Sequence, residues 1–180
     1  MTEKIIIAGF GGQGVILAGK ILAYAGMIEG KYVSHIPAYG AEMRGGTANC
    51  SVVVSDREVA SPLVPKPTSL IAMNQPSLEK FEGVVVPGGK IFVNESLIPV
   101  KSKRTDVEIF YIPANNLAEE AGSGKASNMV MMGAFIAATG AVDAGDFKKS
   151  VPAVVSARNL KLNEINLKAF DLGYGFKTAG

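Results

Sequence analysis

Cysteine and histidine are almost absent from this sequence: Cys50 and His35 are the only ones in 180 residues. A single cysteine excludes an intrachain disulfide framework and fits a reducing cytoplasm. It also excludes an iron–sulfur cluster held by this chain's thiolates alone, because such clusters take several. A single histidine excludes a two-histidine metal site, and no spacing of Asp, Glu, His and Cys matches a zinc site. The expected role of His35 is structural, either paired or exposed. Charge is also scarce, at 19% of residues with a net of +2. No Lys/Arg run rises above a solvated surface, so no nucleic-acid footprint is expected. The densest basic cluster, Lys101, Lys103 and Arg104, reads as an exposed loop. No apolar run reaches the ~20 residues of a membrane helix without glycine or charge. Met1–Lys4 leads directly into a strand-like run and is not expected to be a signal peptide.

What is present is core material. Hydrophobic residues make up 48% of the chain, and the length suits one domain over residues 1–180. Lys4–Ala8 reads as a buried strand. Val15–Met27 has apolar residues at helical spacing, and Gly30 ends that helix. Tyr32–Ile36 is a second strand, which together predicts a βαβ unit. Pro37–Gly46 is an irregular loop. Thr47–Ser55 is a strand with Cys50, Val52 and Val54 on one face, and Glu58–Ala60 is expected to return as its hairpin partner. Ser61–Pro67 is a proline-rich loop. Leu70–Met73, Val84–Val86, Lys90–Asn94 and Val107–Ile112 read as strands, with Pro76–Phe81 a helical turn. Asn115 is expected to cap a helix over Leu117–Ala121. Asn128–Thr139 is apolar on all sides and predicts a buried helix ended by Gly140. Leu162–Leu172 is the last amphipathic helix. The expected fold is a three-layer α/β domain with a mixed, mainly parallel sheet and a Rossmann-like start.

Two segments carry the functional signal. Gly9-Phe10-Gly11-Gly12-Gln13-Gly14 has the G-x-G-x-x-G spacing between a strand and a helix. Glycines there permit a tight turn and close ligand approach, and the helix start offers free N–H groups. A dinucleotide site also needs an acid at the end of the second strand to hold the ribose. That strand ends Ser34-His35-Ile36-Pro37, and Glu29 comes too early. The loop lacks a P-loop's Lys-Ser/Thr pair as well. A packing or interface role and a different anionic ligand both stay open. The second segment is Tyr39-Gly40-Ala41-Glu42-Met43-Arg44-Gly45-Gly46. Arg44, flanked by glycines, can present its planar fork to an anion or a partner carboxylate; a surface pair with Glu42 is the simpler account. Asn128 reads as an N-cap, and Met129, Met131 and Met132 as core.

Taken together these motifs resemble the gamma subunit of the 2-oxoacid:ferredoxin (acceptor) oxidoreductases. The resemblance rests on Gly9–Gly14, Tyr39–Gly46, Ser61-Pro62, Asn128–Gly133 and Asn166–Gly173, in the family's order, from residue 5 to about 174. The form of Tyr39–Gly46 is nearest the 2-oxoglutarate-type branch, with pyruvate and branched-chain members similar. The resemblance implies an enzyme that joins a 2-oxoacid, coenzyme A and oxidised ferredoxin to give acyl-CoA, carbon dioxide and reduced ferredoxin. Thiamine diphosphate with Mg and iron–sulfur clusters would lie on partner chains: alpha and beta thiamine-binding subunits and a ferredoxin-like subunit or ferredoxin. This chain lacks a Gly-Asp-Gly thiamine signature and is expected to hold no cofactor tightly and no catalytic residue. It would pack on the thiamine-binding subunits and shape coenzyme A access, with self-association when isolated. Candidate cofactor contacts are Gly11, Gly12, Gln13, Gly14, Tyr39, Glu42, Arg44, Gly45, Gly46 and Asn128. The rivals are a self-contained dinucleotide-dependent reductase and a purely structural interaction module.

Overall fold

A computed structural model describes residues 1–39 and 47–177. The β-branched run after Met1 forms strand β1 (Thr2–Phe10), and helix α1 (Val15–Ile28) follows the glycine turn. Strands β2 (Tyr32–Tyr39) and β3 (Thr47–Ser55) come next, then β4 (Ser69–Ala72), α2 (Gln75–Phe81), β5 (Lys90–Asn94) and β6 (Glu108–Ile112). Helices α3 (Ala114–Ala121), α4 (Ser127–Thr139), α5 (Ala144–Val154) and α6 (Leu160–Tyr174) complete the chain.

The six strands form one sheet in the order β2-β3-β1-β4-β5-β6. β1, β4, β5 and β6 pair in parallel. β3 runs antiparallel to both β1 and β2, so β2 points the same way as β1 without touching it. The mixed, mainly parallel α/β sheet matches the sequence expectation. The βαβ start is also present, as parallel strands β1 and β2 joined through α1, with β3 inserted between the two strands.

Strand alternation sorts the core. Ile5, Ile7, Cys50, Val52, Ile71 and Phe92 face the side covered by α1 and α3–α6. Ile6, Ala8, Val53, Leu70, Ile91 and Val93 face a thinner layer made by α2 and loops, with Leu78, Val64 and Ile98. Each fully buried Val, Leu, Ile or Phe among them stabilises by roughly 1.5–3 kcal/mol. Helix α4 is buried from Ser127 to Ile136, because it lies between the sheet and α6. The Asn128–Gly133 and Asn166–Gly173 motifs meet there. A methyl on Gly133 would collide with the Phe170 carbonyl oxygen, and one on Gly173 with that of Val130. These two segments are the crossing point of two helices in backbone contact.

Several local expectations are corrected. Glu58–Ala60 forms no strand; the hairpin partner of β3 is β2. Val84–Val86 is no strand either: a 3-10 turn over Glu82–Val84 leads into the Pro87–Gly89 turn. Asn115 sits inside α3, whose N-cap is Pro113. Asn128 lies inside α4, whose N-cap is Ala126. Helix α5, capped by Asp143 through Asp146 N–H, was not anticipated. Arg104 is no solvated loop residue. It forks onto Asp106 at 2.6 and 2.7 Å and donates to the carbonyls of Glu82 and Val85.

Candidate functional site

In parallel α/β sheets the strand ends that face the loops before the helices gather functional groups. Here β1 ends at Phe10 beside Thr47 of β3, and Tyr39 of β2 ends beside Ala48. The turn Phe10-Gly11-Gly12-Gln13 is closed by Gln13 N–H donating to the Phe10 carbonyl at 3.1 Å. Gly12 has φ +92° and Gly14 φ +72°, the left-handed region that favours glycine. Gly14 is the N-cap of α1 and no side chain caps the helix. The first N–H groups of α1 therefore lack an intrahelical partner, as at any helix start.

A cavity of about 400 Å³ opens at this place, lined by Phe10, Gly11, Gly12, Gly14, the first turn of α1 at Val15–Leu17, Tyr39, Thr47 and Ala48. The structure thus brings four predicted residues, Gly11, Gly12, Gly14 and Tyr39, around one space. Glu42, Arg44, Gly45 and Gly46 lie outside the described residues. Gln13 does not line the cavity. Its Oε1 accepts from the Phe10 N–H at 2.6 Å, and its Nε2 donates to the Met73 carbonyl at 3.3 Å. Asn128 is buried behind the loop and donates to the Gly14 carbonyl at 3.1 Å. A methyl on Gly14 would strike that carboxamide.

Sequence reading missed the amides beneath the loop. Asn74 caps α2 by accepting from Ser77 N–H at 2.9 Å and donates to Gln13 Oε1 at 3.5 Å. Asn94, fully buried at the end of β5, donates to Asn115 Oδ1 at 2.9 Å and to the Met73 carbonyl at 3.4 Å. The available signal was an asparagine at or just past the C-terminal end of each of two short buried strands. Phe10, Thr47 and the first turn of α1 were also missed as lining; no local pattern marks them, since β3 reaches this edge only through sheet pairing.

The two reactive side chains lie elsewhere, against α1. Cys50 is fully buried, and that burial pushes its thiol up to about 12, with a backbone hydrogen bond at Gly19 opposing. His35 is half-buried, with Nε2 unpartnered, so it is neither freely exposed nor paired at that atom. Burial lowers its pKa, Lys20 acts in the same direction, and a backbone hydrogen bond at Ile16 opposes. Neither group faces the cavity. Among the described residues no group of three His, Cys, Asp or Glu side chains could hold a metal ion. That donor set does not fit a cluster or a magnesium–diphosphate site. No described helix is long and apolar enough to cross a membrane.

The topology also bears on the dinucleotide rival. In that fold the second strand neighbours the first and its terminal acid reaches the ribose. Here β2 ends at Tyr39 without a carboxylate, and β3 separates it from β1.

Sheet order, glycine turn and helix crossing define an α/β unit that known proteins share. Residues 4–176 match the family model for pyruvate ferredoxin/flavodoxin oxidoreductase, and the chain belongs to that family. It is 41% identical over 172 residues to ketoisovalerate oxidoreductase subunit VorA of Methanothermobacter marburgensis, covering 94% of this chain and 35% of that one. The chain thus spans about a third of the length of its ketoisovalerate relatives. It is 35% identical over 177 residues to 2-oxoglutarate synthase subunit KorC of Methanocaldococcus jannaschii, covering 97% and 93%. The gamma subunit of a keto/oxoacid ferredoxin oxidoreductase from Geobacter sulfurreducens superposes with a TM-score of 0.81 at 30% identity, covering 96% of each chain. A 2-oxoglutarate:ferredoxin oxidoreductase from Magnetococcus marinus, solved with 2-oxoglutarate, coenzyme A and succinyl-CoA bound, shares the fold at a TM-score of 0.87 and 23% identity. The match covers 99% of this chain and 32% of that one.

Proposed function

We propose that this chain works as the gamma-type unit of a cytoplasmic, thiamine-dependent 2-oxoacid:ferredoxin oxidoreductase, as one domain over residues 1–180. The complex converts a 2-oxoacid, coenzyme A and two oxidised ferredoxins into an acyl-CoA, carbon dioxide, two reduced ferredoxins and the released protons. The observation that carries this is the match to KorC along nearly the whole of both chains. Thiamine diphosphate with Mg and the iron–sulfur clusters belong to the alpha, beta and ferredoxin-like partners. This chain supplies a surface and a cavity with no charged side chain among its described lining residues. Exposed apolar side chains support a partner-bound life: Tyr24, Met27 and Ile28 recur at helical spacing at the end of α1, and Tyr32 follows at the start of β2. Such residues suit an interface with partner subunits, or with a second copy when the chain is alone. The candidate contacts Gly11, Gly12, Gly14 and Tyr39 line the cavity, and Glu42, Arg44, Gly45 and Gly46 belong to the segment joining Tyr39 to Thr47. Gln13 and Asn128 support the loop from behind.

2-oxoglutarate is the proposed substrate. The identity to a ketoisovalerate relative favours a branched-chain oxoacid as the second reading. The test is to co-express the chain with the thiamine- and cluster-bearing chains encoded beside it. The purified complex is then assayed for viologen reduction with 2-oxoglutarate, ketoisovalerate and pyruvate, with and without coenzyme A. The isolated chain should be colourless and inactive, and the complex coenzyme A-dependent. Failure of the chain to co-purify, or turnover unaffected by leaving it out, overturns the proposal.

A further inference from the structure

We propose that the glycine loop is filled from within by the Gln13 carboxamide, so that the cavity beside it receives a neutral, amide-bearing chain of the pantetheine type and not a diphosphate. This rests on the coenzyme A reading above and says which part of such a molecule the site takes.

A glycine loop that cradles phosphate leaves its backbone N–H groups free to converge on the anion. Here Phe10 N–H is already taken, by Gln13 Oε1 at 2.6 Å. The same oxygen lies where a methyl on Gly9 would fall, 2.6 Å away, with Met73 Cβ at 2.8 Å. Gly9 is thus required for the close fit of the protein's own side chain. That side chain is held from behind. Asn74 Nδ2 donates to Gln13 Oε1, and the Met73 carbonyl accepts from both Gln13 Nε2 and Asn94 Nδ2. Asn128 fixes the exit of the loop through the Gly14 carbonyl. The whole support is made of uncharged amides.

The cavity has the same character. Phe10 and Tyr39 stand on either side of the start of β3, and no Lys or Arg is among the described lining residues. The uncapped start of α1 favours an anion, but by no more than several-fold in affinity at a partly exposed site. Stripping water from a diphosphate with no cation among the described lining residues to replace it costs far more. Amide carbonyls accept from a helix start singly and carry little desolvation cost, and the chain between them packs on aromatic and aliphatic walls. Gln13 is then a positioning residue, because its carboxamide fixes the path of the Phe10–Gln13 turn that forms one wall.

The experiment uses the 15N-labelled 180-residue chain, titrated separately with pantetheine and with inorganic pyrophosphate, reading the amides of Phe10, Gly11, Gly12, Gly14 and Thr47. Pantetheine should shift these amides saturably, and pyrophosphate should leave them in place. Gln13→Ala should cut hydrogen-exchange protection of the Phe10 amide at least tenfold and weaken pantetheine several-fold. Gln13→Glu, which keeps an acceptor, should restore most of that protection. Saturable shifts with pyrophosphate, silence with pantetheine, or a Phe10 amide indifferent to Gln13→Ala would each overturn the inference. Turnover of the reconstituted complex reads the functional proposal separately. An active, coenzyme A-dependent complex with a pantetheine-silent chain sinks this inference alone. A pantetheine-responsive chain without an active complex sinks the subunit reading alone.

Discussion

Substituting Gly133 by alanine should be among the most damaging single-methyl changes in this protein. On an isolated helix the change is favourable by up to ~1 kcal/mol, because alanine is the better helix former. In place, the new methyl would collide with the Phe170 carbonyl oxygen and sit 2.6 Å from Tyr174 N and 3.1 Å from the Gly173 carbonyl carbon. These are backbone atoms of α6, so no side-chain rotation relieves them. Helices α4 and α6 must part by about 1 Å to restore ordinary contact, and a gap of that size forfeits a quarter to a half of the dispersion energy across it. Phe170 is stacked on Phe147 at 4.9 Å between centroids, so the separation reaches the aromatic core. Overpacking of this kind costs ~1–3 kcal/mol and occasionally more; with its backbone partners this site belongs at the upper end. After the helix-propensity gain the net loss should be about 2–3 kcal/mol, or roughly 4–12 °C in melting temperature at 2–4 °C per kcal/mol for a chain this long. The assay is thermal melting followed by circular dichroism, with Gly83→Ala as control, since a methyl there meets nothing within 4 Å. The double variant Gly133→Ala/Gly173→Ala should cost less than the sum of the singles, because one separation relieves both collisions. A Gly133→Ala protein that melts with the wild type would refute the backbone-contact argument.

The Glu29 carboxylate accepts from Asp143 N–H at 2.6 Å and pairs with Lys31 at 3.0 Å, while Lys31 also donates to the Ala141 carbonyl. Glu29→Ala should therefore lose about 1–3 kcal/mol, read by urea melts, and Glu29→Gln clearly less. The His35 pKa is depressed in the folded chain, so its contribution is present above the unfolded value near 6.5 and is lost as pH falls through the lower folded value. His35→Gln should flatten the stability–pH curve on the acid side of that value, and an unchanged slope would contradict this. Arg44→Ala should shift the melting temperature by no more than ~1 kcal/mol implies, yet weaken coenzyme A dependence of the complex more than tenfold; a large melting loss with normal turnover would make Arg44 structural. Calorimetric titration with NAD and NADP should show no micromolar binding, and such binding would revive the reductase rival.

Much of this molecule was legible in the amino-acid order because local pattern and burial coincide there. Within Lys4–Ala8 the β-branched run Ile5–Ile7 is buried on both faces, Val15–Met27 carries helical spacing, and Asn128–Thr139 is apolar all round because most of it ends up surrounded. One cysteine was enough to say that no cluster rests on this chain's thiolates, and the motif order carried the family. What the sequence could not decide are the long-range pairings. A strand shows its faces by alternation but not its neighbours, so the place of β3 between β1 and β2, and with it the loss of the nucleotide-fold geometry, appears only in the sheet. The same holds for the amides: Asn74, Asn94 and Asn128 look like caps or turn residues one at a time. Only tertiary folding brings these buried carboxamides around the turn, where Asn74 donates to Gln13 Oε1, Asn94 to the Met73 carbonyl that Gln13 also uses, and Asn128 to the Gly14 carbonyl.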